Sequence, residues 1–369
     1  MRRALILLLL PCLAACAPTA APGTTAPRPF DTGGDISFLP QLEAHGGRYS
    51  DRQGEKELLQ LMTDHGFNAA RLKLWHTPAE PYNTLPQVLA MAKRIDAAGM
   101  RFLLDIHYSD WWADPQKQIK PAAWEGLPFE VLTDSVYRYT RDVLRALRAQ
   151  GTPPAMVQLG NEIRPGLLWP DGRVDGEYDT PAQWDRLVAL LRAARRGALE
   201  GAGDRPPVIM IHYDNGAKNA MNRAFFDPLV ARGLEFDVIG LSFYPKWHGT
   251  LEELRANLAD ISARYDRDVY VVETAYPWTL GWRDEAGNIM GSETDLHAGY
   301  PPTEAGQAAF LAAVRDIVRG VPGGRGRGIY YWAPEWIAVP GVPSAWENVA
   351  LFDFDGRVLP GMAAFTGRQ

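Results

Sequence analysis

Two glutamates of this chain each end a short apolar segment that has the pattern of a buried β-strand. Glu162 is the last residue of MVQLGNE at 156–162, and Glu273 is the last residue of VYVVE at 269–273. A carboxylate at the edge of a buried sheet is costly unless it has a partner or a chemical task. Two such groups from different strands could act on one bond. Glycoside hydrolysis needs such a pair: one carboxylic acid protonates the leaving oxygen, and one carboxylate attacks or activates water.

Both glutamates also have simpler interpretations. Glu162 could form a salt bridge with Arg164, and Glu273 could bond to a neighbouring strand end. Either structural role would leave the other glutamate unexplained, so we favour a shared site. The residues alone do not assign the roles, although the acid should lie away from cations and the nucleophile should be near donors such as Arg71 and Tyr244. Carboxyl groups about 5–5.5 Å apart would indicate a retaining enzyme with a covalent intermediate.

The chain alternates apolar, strand-like segments with amphipathic helical segments, and no change of composition marks a second domain. The predicted strands cover residues 34–38, 68–75, 101–107, 156–162, 208–212, 237–244, 269–273 and 328–332. Eight strand–helix units are the count for a (β/α)8 TIM barrel, an α/β fold that would form a single catalytic domain over residues 31–369. An open, doubly wound sheet is the alternative, because a sequence pattern does not show whether a sheet closes.

In such a barrel the active site lies at the carboxyl ends of the strands. Polar or aromatic side chains stand at all eight predicted ends, namely Asp35, Arg71 with Trp75, Asp105 with His107, Asn161 with Glu162, His212, Tyr244, Glu273 and Trp332. Asn161 could hydrogen-bond the 2-hydroxyl of a sugar, a contact that strengthens in the transition state. Arg71 could equally be a core ion-pair partner for Asp35 or Asp105.

The chain has 12 tryptophans, more than a core of this size needs. Eight of them follow predicted strand ends: Trp111, Trp112, Trp124, Trp169, Trp247, Trp278, Trp332 and Trp336. We expect about half to pack between loops and the others to line a groove, because the axial C–H faces of pyranose rings stack well on indole.

The first 30 residues predict export. Arg2 and Arg3 precede an apolar stretch, residues 4–10, that is too short to span a bilayer. Residues 13–16, LAAC, resemble a bacterial lipobox, so we predict a signal peptide over residues 1–16 and lipidation of Cys16. The alternative is an ordinary secretory signal cut near Ala20. Residues 17–30, rich in Pro, Thr and Ala, have the composition of a flexible tether.

Composition restricts the classes of partner. The 369 residues carry a net charge of −6 without a basic run, so nucleic acid is not an expected partner. Contact with a membrane is expected only through the lipid anchor, and we expect a monomer. Because Cys12 and Cys16 are the only cysteines, the folded part has no disulfide even in an oxidising compartment.

Seven segments along the chain carry a more specific signal. They are GDIS at 34–37 with LPQLE at 39–43; DIHYSD at 105–110 with WADP at 112–115 and KQ at 117–118; QLGNEI at 158–163; SFYP at 242–245 with WHG at 247–249; ETAYPW at 273–278; YWAPEW at 331–336; and WENVALFD at 346–353. By these segments the chain resembles glycoside hydrolase family 53, the endo-β-1,4-galactanases that cut the galactan side chains of pectin. The likeness runs from about Asp35 to Leu359.

The resemblance implies a retaining hydrolase in which Glu162, on the fourth strand, is the acid/base and Glu273, on the seventh, is the nucleophile. It also implies that Arg71, His107, Asn161, Tyr244 and Trp332 shape the subsite of the reacting galactose. The full set of candidate substrate-binding residues is Arg71, Asp105, His107, Trp112, Asn161, His212, Tyr244, Trp247, Trp278, Trp332 and Trp336.

Two segments depart from the family pattern. The second strand continues as RLKLWHTP at 71–78, where the family commonly has Asn-Asp before the proline. At the eighth strand end Ala333 replaces an expected acidic residue, although Glu335 could compensate.

No cofactor is expected to be required. His107 and His212 lack the spacing of a zinc site, so we expect hydrogen-bonding roles for them. Some bacterial family members are expected to hold calcium after strand seven, and this chain offers Asp284, Asn288, Asp295 and His297 there, without a recognisable ligand spacing. A structural calcium in residues 284–297 is therefore an expectation that rests on the resemblance alone.

The functional expectation is endo-hydrolysis of β-1,4-galactan, the polysaccharide partner that the resemblance implies. Two alternatives stay open at this stage. The same pair of glutamates could act on another β-1,4-glycan such as mannan, cellulose or xylan, because loops decide which sugar hydroxyls are recognised. The protein could also be a surface glycan-binding protein without catalysis that uses its tryptophans alone.

Overall fold

The structure, a computed structural model, describes residues 29–367. Its centre is a closed barrel of eight parallel strands in chain order, in which β1 pairs with β8. The strands are β1 (Asp31–Asp35), β2 (Ala69–Leu74), β3 (Arg101–Ile106), β4 (Met156–Leu159), β5 (Val208–Tyr213), β6 (Val238–Phe243), β7 (Asp268–Thr274) and β8 (Gly326–Trp332). The predicted (β/α)8 barrel is confirmed, and the doubly wound alternative is wrong. The predicted signal peptide, Cys16 and residues 17–28 of the predicted tether lie outside the described residues.

Helices connect the strands and cover the outside of the barrel. They are α1 (Leu39–Ala44), α2 (Leu58–Asp64), α3 (Leu85–Ala97), α4 (Phe129–Ala149), α5 (Pro181–Ala202), α6 (Asn219–Ala231), α7 (Pro245–His248), α8 (Leu251–Tyr265), α9 (Glu304–Arg319) and α10 (Pro360–Thr366). Side-chain caps fix several helix starts: Thr84 accepts from the N–H of Gln87, and Thr250 forms a reciprocal capping box with Glu253. Within residues 29–367, no helix is both long and apolar enough to cross a membrane.

The first strand begins three residues earlier than the sequence pattern predicts. The prediction placed it at residues 34–38, but β1 spans Asp31–Asp35 and contains two glycines. A Cβ atom on Gly33 would lie 2.3 Å from the ring of Tyr330 on β8, so the strand has no apolar signature at this position. Ile36 and Phe38, which suggested the strand, are buried in the connection that follows it.

Apolar side chains fill the inside of the barrel towards the amino ends of its strands. This cluster comprises Ala69, Leu103, Met156, Met210, Val238, Tyr270, Val272 and Tyr330. A second and larger cluster lies between the strands and the surrounding helices. Because the interior is packed from below, only the carboxyl end of the barrel is available for a site.

The helices on either side of β4, α4 and α5, pack closely through small residues. A Cβ atom on Gly197 of α5 would lie 2.4 Å from the carbonyl oxygen of Tyr137 and 3.0 Å from the backbone nitrogen of Arg141, both on α4. Backbone atoms cannot rotate out of the way as a side chain does. This contact fixes the two helices that lie before and after the strand leading to Glu162.

We therefore expect Gly197→Ala to destabilise the fold, although alanine is the better helix former by about 0.5–1 kcal/mol. Overpacking against backbone costs about 1–3 kcal/mol, so a net loss of about 1 kcal/mol is expected, measured by urea denaturation. Gly287→Ala is the matched control, because nothing lies within 4 Å of the Cβ it would gain. A Gly197→Ala variant at least as stable as this control would contradict the predicted steric contact.

Candidate active site

A cleft of about 670 Å³ opens at the carboxyl end of the barrel, and both glutamates line it. Glu162 follows β4, and Glu273 is the second-last residue of β7. The cleft is also lined by six of the predicted substrate-binding residues, namely Trp112, Asn161, Tyr244, Trp247, Trp332 and Trp336. The structure thus brings the two predicted carboxyl groups, one after β4 and one on β7, to one site.

The turn after β4 holds Glu162 in an unusual backbone conformation. Gly160 has φ +84°, and Glu162 itself has φ +47°, in the left-handed region that side-chain-bearing residues seldom adopt. The N–H of Glu162 donates to Nδ1 of His212 at 3.2 Å, and Oγ of Ser242 donates to Oε1 of Glu162 at 2.6 Å. Strain of this kind persists where surrounding contacts hold it, and it is common at active sites.

Glu162 does not form the salt bridge that the sequence left open as an alternative. Arg164 instead donates from Nε to both carboxylate oxygens of Asp214, each at 3.0 Å. Asp214 also accepts from the amide of Asn215 at 2.8 Å. The guanidinium nearest to Glu162 in sequence is therefore neutralised by another carboxylate.

Glu273, in contrast, lies against a cation. Nη1 of Arg71 is 2.8 Å from Oε1 of Glu273, an ionic contact without an aligned hydrogen bond. The hydroxyl of Tyr244 donates to Oε2 at 3.1 Å. Burial and the charges of Glu273 and Glu162 raise the pKa of Tyr244, so this hydroxyl stays protonated as a donor. Arg71 and Tyr244 are the two donors that the sequence predicts for a nucleophile.

Arg71 combines both of the roles proposed from the sequence. Besides Glu273, it donates to Asp35 at 3.0 Å, to Asp105 at 2.8 Å and to the amide oxygen of Asn161 at 2.9 Å. The carboxylates outweigh the effect of burial and raise the pKa of Arg71 above its ordinary value. It is thus a core ion-pair partner and also a contact of the candidate nucleophile.

His212 belongs to the polar surroundings of Glu162. Its Nε2 is 2.9 Å from Oγ of Ser242, and its Nδ1 accepts from the N–H of Glu162 and lies 3.0 Å from the amide nitrogen of Gln158. Burial, with the nearby charge of Arg71, lowers the pKa of His212 well below its ordinary value, so the ring is neutral. A neutral ring with the proton on Nε2 satisfies Ser242 and leaves Nδ1 as an acceptor.

His107 is likewise a hydrogen-bonding group. Its Nε2 lies 2.9 Å from Oδ2 of Asp105, and its Nδ1 accepts from the indole of Trp75 and the N–H of Ala113. Both histidines take the hydrogen-bonding roles predicted for them. In the described part of the chain no group of three or more His, Cys, Asp or Glu side chains is placed to hold a metal.

The two carboxyl groups of the cleft differ in how strongly they hold a proton. Burial raises the pKa of both above the ordinary glutamate value. At Glu162 the charges of Glu273 and Asp214 add to burial, whereas at Glu273 the charge of Arg71 opposes it. Glu162 therefore keeps its proton to higher pH, while Glu273 ionises first. This is the division of protonation states that a general acid and a nucleophile need.

Of the eight tryptophans expected after strand ends, four line the cleft: Trp112, Trp247, Trp332 and Trp336. Trp346, which was not among the eight, lines it as well. Trp278 does not line it, because its ring packs on Phe354 with centroids 4.8 Å apart and its indole donates to the carbonyl of Glu347. The predicted substrate contact of Trp278 has no support in this position.

Four other predicted substrate-binding residues lie beneath the cleft. Arg71, Asp105, His107 and His212 have no exposed surface and hold the side chains above them. Sequence reasoning missed three further members of the network, Gln158, Ser242 and Asp214. Ser242 could have been found from its spacing, because it precedes Tyr244, the residue that follows β6, by two positions, and alternate residues of an extended chain share a face. Asp214 follows β5 in a turn and gave no such signal.

The structure resolves the departure from the family pattern at the eighth strand end. Glu335 does not replace an acidic group in the cleft, because it is fully buried and its Oε1 accepts from the N–H of Phe38 at 3.2 Å. Lys73, in the unusual second strand, lies fully buried behind the tryptophans of the cleft.

The predicted calcium ligands are engaged separately. Asp284 accepts from the backbone of Ala286 and Ser344, whereas Asp295 accepts from Ser292 and contacts Nζ of Lys246 at 3.1 Å. His297 accepts from the N–H of Leu251. An ammonium group thus already neutralises Asp295, and the residues present do not fit a shared calcium ion. Calcium binding stays an untested prediction.

Comparisons with known proteins agree with this geometry. The sequence profile described as glycosyl hydrolase family 53 matches residues 31–365. A protein of Niallia circulans described as uncharacterized is 47% identical over 342 residues, covering 91% of this chain and 93% of that protein. The arabinogalactan endo-β-1,4-galactanase of Cellvibrio japonicus is 35% identical, with coverage of 92% and 90%. The structure of the Ignisphaera aggregans GH53 catalytic domain superposes with a TM-score of 0.85 at 37% identity, covering 94% of this chain and 98% of that domain. The resemblance seen in the sequence is confirmed, and this chain belongs to glycosyl hydrolase family 53.

Proposed function

We propose that this glycoside hydrolase cuts β-1,4-galactosidic bonds within (arabino)galactan, with retention of anomeric configuration. The observation that carries the proposal is a pair of carboxyl groups that line one cleft, the half-buried Glu162 and the buried Glu273, of which only Glu273 lies against the guanidinium of Arg71. Membership of family 53 and the likeness to the Cellvibrio japonicus galactanase support galactan as the polymer.

Two displacements follow from the proposed roles. In the first, the Glu273 carboxylate attacks the anomeric carbon while Glu162 gives its proton to the leaving oxygen, so that a galactosyl ester forms and the glycosidic bond breaks. In the second, the Glu162 carboxylate removes a proton from water, whose oxygen attacks the anomeric carbon and releases Glu273. Two inversions leave the product in the β configuration.

The surrounding contacts suit these steps. Arg71 and Tyr244 favour the ionised form of Glu273 against the effect of burial and orient its carboxylate. Asn161 lines the cleft and donates one amide N–H to the carbonyl of Ala113, which leaves its second N–H for the sugar 2-hydroxyl. Trp112, Trp247, Trp332, Trp336 and Trp346 offer indole surface to the polymer on either side of the cut bond.

The proposal extends to export as a lipoprotein. It is supported by the basic, apolar and small-residue segments of residues 1–16 and by the LAAC tetrapeptide ending in Cys16. Residues 17–30 would then form a tether that keeps a monomeric hydrolase at the cell surface.

The first test replaces Glu273 by Gln, which keeps the shape and removes the nucleophile. Turnover of linear β-1,4-galactan, measured as new reducing ends, should fall roughly 10⁴-fold or more, while titration calorimetry should still detect binding of galacto-oligosaccharides. Glu252→Gln on the exposed start of α8 is the matched control and should keep full activity. Unchanged turnover of the Glu273 variant would exclude the proposed nucleophile.

The same assay on mannan, xylan and cellulose tests the polymer. Reducing ends from one of these and none from galactan would transfer the chemistry to another glycan. Binding of galactan without release of sugar by the native protein would favour the glycan-binding alternative. Proton NMR of freshly released product should show the β-anomer first.

The second test changes the proton affinity of Glu162. The charge of Asp214 raises the pKa of Glu162, because a nearby negative charge disfavours its ionised form. Asp214→Asn removes that charge and frees Arg164, so the pKa of Glu162 should fall. The limb of the kcat/KM profile at high pH, where the acid loses its proton, should then move to lower pH. The exposed Asp142→Asn is the control, and a shift in the opposite direction would contradict the assignment of Glu162 as the acid.

The third test concerns the anchor. In a bacterial host the native chain should incorporate labelled palmitate and sediment with membranes, whereas Cys16→Ser should do neither. Cys12→Ser, which lies inside the predicted signal, should behave like the native chain. A native protein released without lipid and starting near residue 21 would support the ordinary secretory signal instead.

A further inference from the structure

One buried cation at the barrel mouth takes no part in the proposed chemistry. Lys73 lies on β2, two residues after Arg71, and its side chain is 1% exposed. Within residues 29–367 its Nζ has no hydrogen-bond acceptor. An ammonium group that is removed from water and left without acceptors is unfavourable, so its presence needs an explanation.

The surroundings of Nζ are aromatic. It lies 3.8 Å from the ring centre of Phe38, 4.6 Å from Trp112, 5.5 Å from Trp332 and 5.8 Å from Trp75. We call these four rings the aromatic box. Attraction between a cation and the face of an aromatic ring increases when both are removed from water, as they are here.

Two rings of the aromatic box also form the wall of the cleft. Trp112 and Trp332 line the cleft, and their ring centres are 5.8 Å apart. Phe38 stacks on Trp336, a third ring of the wall, with centroids 3.8 Å apart. Lys73 therefore packs against the same rings that line the cleft.

The charged groups that face Lys73 come from several strands. They are Asp35 at the end of β1, Arg71 on its own strand, Asp105 on β3 and Glu335 after β8. None of the three carboxylates lies within ion-pair distance of Nζ, so the rings are its nearest partners. Burial lowers the pKa of Lys73 to about 8, which leaves the group charged at neutral pH.

We propose that Lys73 is a positioning residue for sugar binding: its ammonium holds Trp112 and Trp332 from behind, with their free faces turned towards the polymer. The inference rests on the proposed galactanase function and specifies which part of the site binds the polysaccharide. Lys73 does not touch the substrate, and it takes no proton from it.

The central test is Lys73→Met, which keeps the length of the side chain and removes the charge, compared with Lys73→Arg, which keeps a charge that can also lie over indole. On linear galactan the methionine variant should raise KM roughly tenfold with kcat within about twofold of native, because binding energy common to ground and transition states is lost. The arginine variant should recover most of the native KM. Melting temperature separates this role from a structural one, since removing a buried charge should leave stability unchanged or increased.

A second readout is the pH dependence of KM. In the native enzyme KM should rise as the pH passes about 8, where Lys73 loses its charge. Lys73→Arg should remove this rise, because arginine stays charged. Burial also raises the pKa of Glu335 to about 8, so Glu335→Gln is the control. It should keep the rise but move it to lower pH, because the variant loses a negative charge that faces Lys73.

The outcomes separate this inference from the proposed function. If the native protein releases no sugar from galactan, the proposed function fails. The affinity of Glu273→Gln for galacto-oligosaccharides, compared with and without Lys73→Met, then tests the tryptophan wall of the cleft separately from catalysis. If the native protein cuts galactan and Lys73→Met has the native KM at all pH values, the role of Lys73 is wrong. If the methionine variant does not fold, the comparison of native and Lys73→Arg above pH 8 decides: a rise of KM in both overturns the proposal.

Discussion

One buried guanidinium sets the geometry of the barrel mouth. Arg71 has no exposed surface, and its nitrogens face Asp35, Asp105, Asn161 and Glu273. A buried charge is tolerated only when its surroundings supply compensating charge and hydrogen bonds. Because its partners come from β1, β3, the turn after β4 and β7, this one group fixes four strand ends relative to β2. The candidate nucleophile is thus held by the same interaction that ties the mouth of the barrel together.

The position of that cation also decides how the two glutamates differ. Arg71 lies against Glu273 and favours its ionised form. Glu162 instead accepts a hydrogen bond from the hydroxyl of Ser242, which in turn contacts the neutral imidazole of His212. Arg164, the guanidinium that could have neutralised Glu162, is bound by Asp214. Two chemically identical side chains in one cleft therefore acquire different protonation states through the placement of two arginines.

Much of the fold and the two carboxylates could be predicted because they depend on local patterns. Apolar segments ending in Glu162 and Glu273 mark strand ends, and strand ends of a barrel share one face. The first strand was misplaced because Gly33 makes room for Tyr330, a contact between residues far apart in sequence. Asp214 was missed for the same reason, since its role depends on where Arg164 turns. The substrate contact predicted for Trp278 lacked support because position after a strand does not determine the direction of a side chain in a long loop.

Buried ionisable groups at the mouth of the barrel lower the stability of the folded state. The pKa of Lys73 in the folded state is lowered to about 8. Between pH 8 and the ordinary lysine pKa, the unfolded chain therefore binds more protons than the folded chain. The fold gains stability as the pH rises through this range. Glu335 has the opposite sign: its pKa is raised to about 8, so the fold loses stability as pH rises from the ordinary glutamate value. Near neutral pH both groups therefore weaken the folded state. Apolar packing inside the barrel, and between its strands and the surrounding helices, must offset this cost. The barrel can hold strained and unfavourably charged groups at its mouth because apolar packing elsewhere in the chain contributes the stability that these groups remove.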